Sequence, residues 1–312
     1  MSKVLGLDVG GSSIKWAVLD DGNVGPTGTT PTPASGVPAL LAELVAVAAQ
    51  HAGLDAHLPV GVALPGSLDQ STSEIHVMPN IAGEWVGVRP ADLLSQATGR
   101  PWRVINDARA FAAGELVAGA ARGTADALFV TLGTGVGGAL VFGGRIHLGA
   151  TSLAGEIGHV VVDPAGRPCG CGGAGCLETY CGAAGILAEA RRRGLAVRPP
   201  ELRPGQPGEF TVEDVFAAAR AGEGAARSLV AEAGGALGAV LARVASLLSP
   251  QQIVVGGGLS AGLPLLRPAL ESAFAQNLRI VPAPQISMST LGLYAGAAGA
   301  AAWAAGLVPT SR

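Results

Sequence analysis

Positive charge is scarce in this sequence, and lysine is almost absent. Charged residues make up 14% of the 312 positions, the formal net charge is −3, and Lys3 and Lys15 are the lysines of the chain. Proteins that bind nucleic acid carry a clustered basic surface, which this composition does not supply. We therefore expect no nucleic-acid partner.

The sequence also lacks a leader-like start and a long apolar run. Its first apolar run is broken by Asp8 and Gly10 after a few residues, unlike a secretory signal. Residues 295–307 are mostly alanine and glycine and are too short to span a bilayer. Hydrophobic residues still make up 49% of the chain, which at this length is enough for two domains with separate cores. We expect a cytoplasmic protein with no membrane partner.

Cysteine is scarce too, but it is clustered. Cys169, Cys171 and Cys176 lie close together, and His159 precedes the first of them by ten residues. One imidazole and three thiolates at this spacing predict a closed tetrahedral Zn²⁺ site. A disulfide or unrelated free thiols are the alternatives, although a Cys169–Cys171 bridge would be strained and clustered thiols would oxidise easily. We expect Cys181 to be a small buried hydrophobe, and metal-bound thiols indicate a reducing cytoplasm.

Short apolar runs alternate with segments of helical period along the chain. Strands are predicted at residues 4–9, 14–19, 59–64, 102–105, 128–132, 139–142 and 253–255, and helices at 40–47, 108–121, 223–248 and 294–305. Residues 26–38 read as a loop, and Gly234-Gly235 are expected to interrupt the third helix. Thr211 and Asp214 form a predicted capping box. This alternation is typical of the α/β class.

Three of the predicted strands run directly into glycine-rich turns. The turns are Gly10-Gly11-Ser12-Ser13, Gly133-Thr134-Gly135-Val136-Gly137-Gly138 and Gly256-Gly257-Gly258. Glycine lets backbone N–H groups approach phosphate oxygens, although hairpins also need glycine for their own geometry. Asp8, at the end of the first strand, could hold Mg²⁺ through water beside a polyphosphate. Lys15 could contact phosphate or simply be solvated on its strand.

Asn106 and Asp107 lie where a predicted strand gives way to a helix. An aspartate there can satisfy the free N–H groups of the helix start. It can equally be a general base that accepts a hydroxyl proton during phosphoryl transfer. The local sequence leaves both interpretations open.

Taken together, the motifs closely resemble those of the ROK family of sugar kinases over essentially the whole chain. In chain order they are Asp8-x-Gly10-Gly11-Ser12, Pro65-Gly66, Asn106-Asp107, Gly133-Thr134-Gly135-x-Gly137-Gly138, Gly155-Glu156-x-Gly158-His159, Cys169-x-Cys171-Gly172-x-x-Gly175-Cys176-x-Glu178 and Gly256-Gly257-Gly258. The segment from His159 to Glu178 is the most specific of these. The resemblance implies an α/β, two-domain actin-like ATPase (ribonuclease H-like) fold with a cleft between the domains. Residues 1–106 with 294–312 would form the N-terminal domain, and residues 107–293 would form the C-terminal domain that carries the zinc-binding loop.

The resemblance also implies roles for individual residues. Asp107 would be the base that deprotonates the sugar hydroxyl, and His159 would bind zinc through one ring nitrogen and sugar through the other. The remaining sugar-binding residues would be Gly66, Asn80, Asn106, Glu156 and Glu178. The phosphates of MgATP would be held by Asp8, Gly10, Gly11, Ser12, Ser13, Lys15, Thr134, Gly135, Gly137 and Gly138, and the adenosine would be flanked by Gly256, Gly257 and Gly258.

The implied activity is ATP-dependent phosphorylation of glucose at its 6-hydroxyl, and Glu178-Thr179 resembles the glucokinase pattern. Kinases for N-acetylmannosamine, N-acetylglucosamine, fructose or allose remain the alternatives within the enzyme class. The Ser12-Ser13 spacing resembles that of polyphosphate-using relatives, but the cysteine cluster favours ATP. A sugar-responsive transcriptional regulator and a non-catalytic sugar-binding protein are less favoured. Relatives imply a homo-oligomer, either a dimer or a tetramer.

Overall fold

The computed structural model describes residues 3–51, 57–195 and 210–311, which form two large β-sheets, a two-stranded sheet of Ser67–Leu68 and Ile75–Val77, and the helices packed on the large sheets. The strands of this described part are β1 (Lys3–Val9), β2 (Ser13–Asp20), β3 (Asn23–Pro31), β4 (Val60–Leu64), β5 (Ser67–Leu68), β6 (Ile75–Val77), β7 (Trp102–Asn106), β8 (Ala127–Leu132), β9 (Val136–Phe142), β10 (Arg145–His147), β11 (Gln252–Gly256), β12 (Gln285–Met288) and β13 (Thr310–Ser311). The helices are α1 (Val37–Gln50), α2 (Pro90–Thr98), α3 (Asp107–Val117), α4 (Glu178–Cys181), α5 (Ala183–Arg192), α6 (Val212–Arg220), α7 (Gly224–Leu248), α8 (Leu263–Asn277) and α9 (Ala295–Ala304).

The first sheet has the strand order β3-β2-β1-β4-β7. β1, β2 and β3 form an antiparallel meander, whereas β4 and β7 run parallel to β1. Leu7 pairs with Trp16 on one side and with Val62 on the other, which fixes the register of the central strand. The carboxyl ends of β1, β4 and β7 therefore meet at one edge of the sheet.

The second sheet has the order β12-β11-β8-β9-β10-β13. β8 and β9 form an antiparallel hairpin, and β11 runs parallel to β8, so that Gly256 pairs with Thr131. The carboxyl ends of β8 and β11 lie side by side. The turns that follow these two strands are thereby brought together.

Helices α3 and α9 pack on each other, and α9 also covers β1 and β4. Their contact is unusually close because glycines face backbone at the crossing. A Cβ at Gly299 would lie 1.6 Å from the carbonyl oxygen of Ala110, and a Cβ at Gly114 would lie 2.2 Å from that of Ala295. The described structure does not by itself assign domain boundaries, so the division at residues 106/107 and 293/294 stays a prediction.

The prediction that residues 26–38 form a loop is wrong for its first part, because β3 extends to Pro31. β3 lies at the edge of the sheet and pairs only with β2 within the described residues. Proline is tolerated on an edge strand, and the register shifts between the pairs Ala17–Thr27 and Leu19–Val24, which places Pro26 at an irregularity.

The expected break at Gly234-Gly235 is also wrong, since α7 is continuous. A Cβ at Gly234 would lie 2.3 Å from the carbonyl oxygen of Leu266, and one at Gly238 would lie 2.2 Å from that of Leu270. Glycine at these positions allows α8 to pack closely, so its role is helix contact rather than helix termination.

α7 also corrects the expectation that no segment could span a bilayer. It is long and apolar enough by length and composition, but 61% of its most apolar window is buried in the structure, as in a core helix.

The end of α3 differs from its prediction, whereas the predicted capping box is found. α3 ends at Val117 rather than at residue 121, because the buried Glu115 carboxylate accepts a hydrogen bond from the Ala120 amide (2.7 Å). The capping box at α6 is present, with the Thr211 amide donating to Asp214 (2.8 Å). Residues 191–207 are rich in arginine and proline, which predicts an exposed connector, and they lie largely outside the described residues.

Candidate active site

One group of predicted site residues gathers at the carboxyl edge of the first sheet. The Asn106 amide nitrogen donates to the carbonyl of Gly66 (2.9 Å) and to Asp107 Oδ1 (3.0 Å). The Asn106 carbonyl oxygen Oδ1 accepts from the Arg109 amide (3.1 Å) and so caps α3. Gly66 has φ +89°, and a Cβ there would lie 2.1 Å from the carbonyl oxygen of Val77. Both the backbone conformation and the space therefore require glycine.

Asp8 and Asp107 lie at this edge, and Glu156 is near enough for its charge to act on Asp107. Burial raises the pKa of Asp107 to about 7, with further increases from the negative charges of Asp8 and Glu156. Burial also raises the pKa of Asp8 to about 6, partly opposed by the positive charge of Lys15. Like charges close together disfavour ionisation of each other, so these carboxylates form one electrostatic unit. We call Asp8, Asp107 and Glu156 the acid cluster.

Arg109 is a buried cation beside the acid cluster that the sequence analysis missed. Its side chain is 4% exposed and donates to the carbonyls of Ser152 (2.6 Å) and Ala154 (3.4 Å). Burial lowers the pKa of Arg109, and the negative charges of Glu156 and Asp107 partly oppose this shift. The positive charge of an arginine in the first turn of a helix opposes the helix dipole. This unfavourable position is the feature of the sequence that could have singled out Arg109.

The first glycine turn is held by the strand beside it. The Gly10 amide donates to the carbonyl of Ser13 (2.9 Å), and the Thr32 hydroxyl donates to the carbonyl of Gly10 (2.6 Å). Gly11 and Ser12 are exposed. A Cβ at Gly11 would lie 3.2 Å from the carbonyl oxygen of Asn80, so Asn80 adjoins this turn. Thr32 is a second residue that the sequence analysis did not identify.

The other two glycine turns lie side by side at the edge of the second sheet. The carbonyls of Gly133 and Thr134 accept from the amides of Ala183 (2.9 Å) and Ala184 (3.1 Å), which seats this turn on the start of α5. Gly256 is buried at the end of β11, and Gly257 has φ +99°. Next to it, the Leu259 amide donates to the carbonyl of Leu132 (2.9 Å), at the end of β8. Gly258 completes this third turn.

Gly137 and Gly138 belong to β9 rather than to the turn itself. A Cβ at Gly137 would lie 3.1 Å from the Cβ of Ala108, at the start of α3. A Cβ at Gly138 would lie 2.6 Å from the carbonyl oxygen of Gly155, next to Glu156. Close packing accounts for both glycines, and a contact with phosphate stays a prediction.

The predicted zinc ligands converge. One donor atom from each of His159, Cys169, Cys171 and Cys176 lies within 4.8 Å of the other three. Cys171 and Cys176 have their sulfurs 3.7 Å apart, and Cys169 Sγ lies 3.7 Å from His159 Nδ1. Bonds of about 2.3 Å in a tetrahedron give edges of about 3.8 Å, so this donor set fits Zn²⁺. Cys181 is fully buried, as expected, and is not one of the four clustered donors.

Glu178 lies between the cysteine cluster and the second glycine turn. Its Oε1 accepts from Cys169 Sγ (2.9 Å) and lies 3.6 Å from His159 Nδ1. Its Oε2 is 2.8 Å from the position that a Cβ at Gly135 would occupy. Because His159 Nδ1 faces the cysteines, the other ring nitrogen is left for a second partner. This agrees with the two roles predicted for the imidazole, which no contact in the structure tests.

A family model described as the ROK family matches residues 4–306. The chain belongs to the ROK family. The glucokinase of Halalkalibacterium halodurans is 36% identical over 95% of this chain and 92% of its own length. The solved structure of a ROK family glucokinase from Streptomyces griseus in complex with glucose and AMPPNP is 32% identical, covers 98% of this chain and 100% of that one, and superposes with a TM-score of 0.83.

The ROK family also includes DNA-binding proteins. The transcriptional repressor Mlc of Escherichia coli is 34% identical over 77% of this chain but only 59% of its own length. The family assignment and the two-domain actin-like α/β fold class predicted from the sequence are confirmed.

Proposed function

We propose that this ROK-family chain is an ATP-dependent glucokinase that transfers the γ-phosphoryl group to the 6-hydroxyl of glucose. The observation that carries the proposal is the acid cluster. Asp107 begins α3 at the edge where the parallel strands β4 and β7 end, and burial raises the pKa of its carboxylate to about 7. A base whose pKa lies near the working pH combines a populated ionised form with useful basicity. The glucokinase relatives support glucose as the acceptor and ATP as the donor.

In this proposal Asp107 orients the 6-hydroxyl and accepts its proton. Asn106 fixes that carboxylate through its hydrogen bond and fixes the start of α3 through the cap. Glu156, Glu178 and the free edge of His159 bind ring hydroxyls. Phosphoryl transfer depends on positioning and charge stabilisation, so these fixed contacts are the chain's main contribution.

The nucleotide would lie along the three glycine turns. Ser12, Ser13, Lys15 and Thr134 supply side-chain donors near the phosphates, and Gly256–Gly258 flank the adenosine. Asp8 is a single carboxylate beside the first turn, which suits Mg²⁺, an ion that usually keeps several waters and takes few protein ligands. When bound, Mg²⁺ would neutralise charge on the β- and γ-phosphates.

We further propose that Zn²⁺ is bound by His159, Cys169, Cys171 and Cys176 in a structural role. Its ligands span the loop that ends at Glu178, so metal binding would couple to the folding of that loop. Metal content of the purified protein, one equivalent of zinc per chain, tests this separately from activity. The proposed setting is the cytoplasm, and the proposed assembly is a homo-oligomer.

The experiment that tests the activity is ADP release from MgATP with glucose, mannose, fructose, allose, N-acetylglucosamine and N-acetylmannosamine. We expect the highest kcat/KM with glucose. A preference for another sugar would keep the kinase and replace the acceptor, because one hydroxyl or acetamide is discriminated by pocket shape. Phosphorylation by polyphosphate instead of ATP would replace the donor. Failure with every sugar and both donors would refute the kinase.

A further inference from the structure

The loop that carries the cysteines closes on itself as a narrow turn. Val161 forms a bridge with Cys176, and the Val162 amide donates to the carbonyl of Gly175 (2.7 Å). The Gly175 amide in turn donates to the carbonyl of Arg167 (2.7 Å). Arg167 therefore sits where the two arms of the loop meet, before the first cysteine.

The Arg167 side chain leaves the loop and reaches three helices. It donates to the carbonyl of Thr179 in α4 (2.7 Å), and its guanidinium carbon lies 4.4 Å from the ring centre of Tyr180. Its Nε is 3.5 Å from Glu189 in α5, and one terminal nitrogen is 2.5 Å from Glu232 in α7. The side chain is 20% exposed. A planar guanidinium can make all these contacts at once, which an ammonium cannot.

The two carboxylates that pair with Arg167 also pair with other arginines. Glu189 is 3% exposed, and hydrogen bonds from Arg192, together with those from Arg193, lower its pKa to about 2. Arg193 also pairs with Glu232, so the same network joins α5 to α7. Arg167 is thus anchored to a network of charge-assisted hydrogen bonds that joins α5 to α7.

The contact with Thr179 bears on the neighbouring residue, Glu178. α4 is only four residues long, so it has little helical hydrogen bonding of its own to hold its first turn. Cys169 contacts the Glu178 carboxylate, and Arg167 holds the carbonyl of Thr179, the residue that follows Glu178. The two contacts are made by different side chains, only one of which is a predicted metal ligand.

We propose that Arg167 is a positioning residue for sugar binding, which acts through the Thr179 carbonyl to hold Glu178 in place separately from the metal. This role rests on the proposed function, because it takes Glu178 as a sugar ligand. Arg167 itself is not a catalytic residue in this scheme. Its loss affects affinity for the sugar rather than transfer of the phosphoryl group.

Arg167→Met keeps much of the packing on Tyr180 and removes the charge and the hydrogen bonds. We expect the KM for glucose to rise about tenfold with kcat within about threefold, since small misplacements of a binding group weaken productive binding. Bound zinc should stay at one equivalent per chain. Arg192→Met is the matched control: Arg192 pairs with the same Glu189 (2.6 Å) but is 72% exposed, and its kinetics should be those of the wild type.

Hydrogen exchange of the amides at residues 179–182 provides a readout that does not depend on activity. Faster exchange there in Arg167→Met, but not in Arg192→Met, is the expected result even if glucose is not the acceptor. Inactivity of the wild type would refute the proposed function alone. If Arg167→Met leaves both the amide exchange rates and the KM for glucose unchanged, the proposed role of Arg167 is overturned. Loss of zinc together with loss of sugar affinity in this variant would also overturn it. Should Arg167→Met not fold, Arg167→Lys, which keeps one charge but not the fork of donors, is expected to raise KM by a smaller factor.

Discussion

The acid cluster and the cysteine loop are built in different ways. Asp8 is the penultimate residue of the central strand β1, and Asp107 begins α3 directly after β7, so regular backbone places both carboxylates. Residues 160–177, between the short turn at His159 and α4, contain only isolated bridges. Here the groups are placed by a few backbone hydrogen bonds within the loop and by side-chain contacts such as those of Arg167. We infer that the chemical step is robust toward loss of metal, whereas sugar binding is not.

Both regions adjoin the hairpin formed by β8 and β9. Gly155 packs against Gly138 of β9, next to Glu156, whose charge reaches Asp107. Glu178 adjoins Gly135 of the second glycine turn. Changes confined to one region should therefore move one kinetic constant, and changes at a junction should move more than one.

The largest effect is expected from Asp107→Asn in the acid cluster. Without a proton acceptor, kcat should fall by about 10³-fold, within the range that general bases contribute. Glucose binding and zinc content should be retained. Calorimetric titration with glucose and metal analysis check these two properties beside the assay.

The same variant should be more stable than the wild type at pH 8. The folded-state pKa of Asp107 is raised from 3.8 to about 7, so the wild type loses stability as the pH rises through this interval. Asparagine removes that cost, by about 1–2 kcal/mol after allowance for partial exposure. The difference in Tm should vanish near pH 4. Asp92→Asn, an exposed aspartate in the first turn of α2, is the control and should change neither kcat nor Tm appreciably.

Removing the metal is expected to have the next largest effect, and it should be confined to the cysteine loop. Cys171→Ser should lose zinc and weaken glucose binding by about 10-fold to 100-fold, because the ligands of the loop and Glu178 lose their common anchor. The kcat at saturating glucose should change much less. Metal analysis and glucose titration measure both properties.

Cys181→Ala is the control, since Cys181 is buried away from the cluster and should keep zinc and affinity. Full sugar affinity in metal-free Cys171→Ser would break the distinction between the two regions.

The pH dependence of kcat/KM should report on the acid cluster alone. Asp107 must be ionised to accept a proton, so kcat/KM for glucose should fall about tenfold per unit below about pH 7. Glu156→Gln removes a negative charge that raises this pKa, and the acidic limb should move to lower pH. A limb at pH 4 in the wild type would remove Asp107 from the role of base.

Most of the acid cluster could be predicted from sequence, because its residues follow short apolar runs whose strand character is a local property. Asp8 lies near the end of one such run and Asp107 shortly after another, and the parallel pairing of β1, β4 and β7 brings these ends together. The cysteine ligands were equally visible, since metal chemistry restricts both residue type and spacing.

The residues that hold these groups could not be predicted in the same way. Arg109 and Arg167 act through carbonyls and carboxylates distant in sequence, and neither has a local signature beyond its charge. β3 was missed because its prolines are tolerated only at a sheet edge, and edge position is a tertiary property. Gly135 was predicted to contact phosphate. Its proximity to Glu178 can be recognised only in the folded structure.

Gly135→Ala tests that junction and should give the smallest effect. The added Cβ would lie 2.8 Å from Glu178 Oε2, so the carboxylate must shift. Because that oxygen is the end of a flexible side chain, we expect the KM for glucose to rise only about threefold. Gly170→Ala, in the cysteine loop with open space around its Cβ, is the matched control and should leave KM unchanged. A rise in the KM for ATP alone would assign Gly135 to nucleotide binding and separate the two regions completely. A rise in the KM for glucose and in the KM for ATP would make Glu178 the contact through which the two sites affect each other.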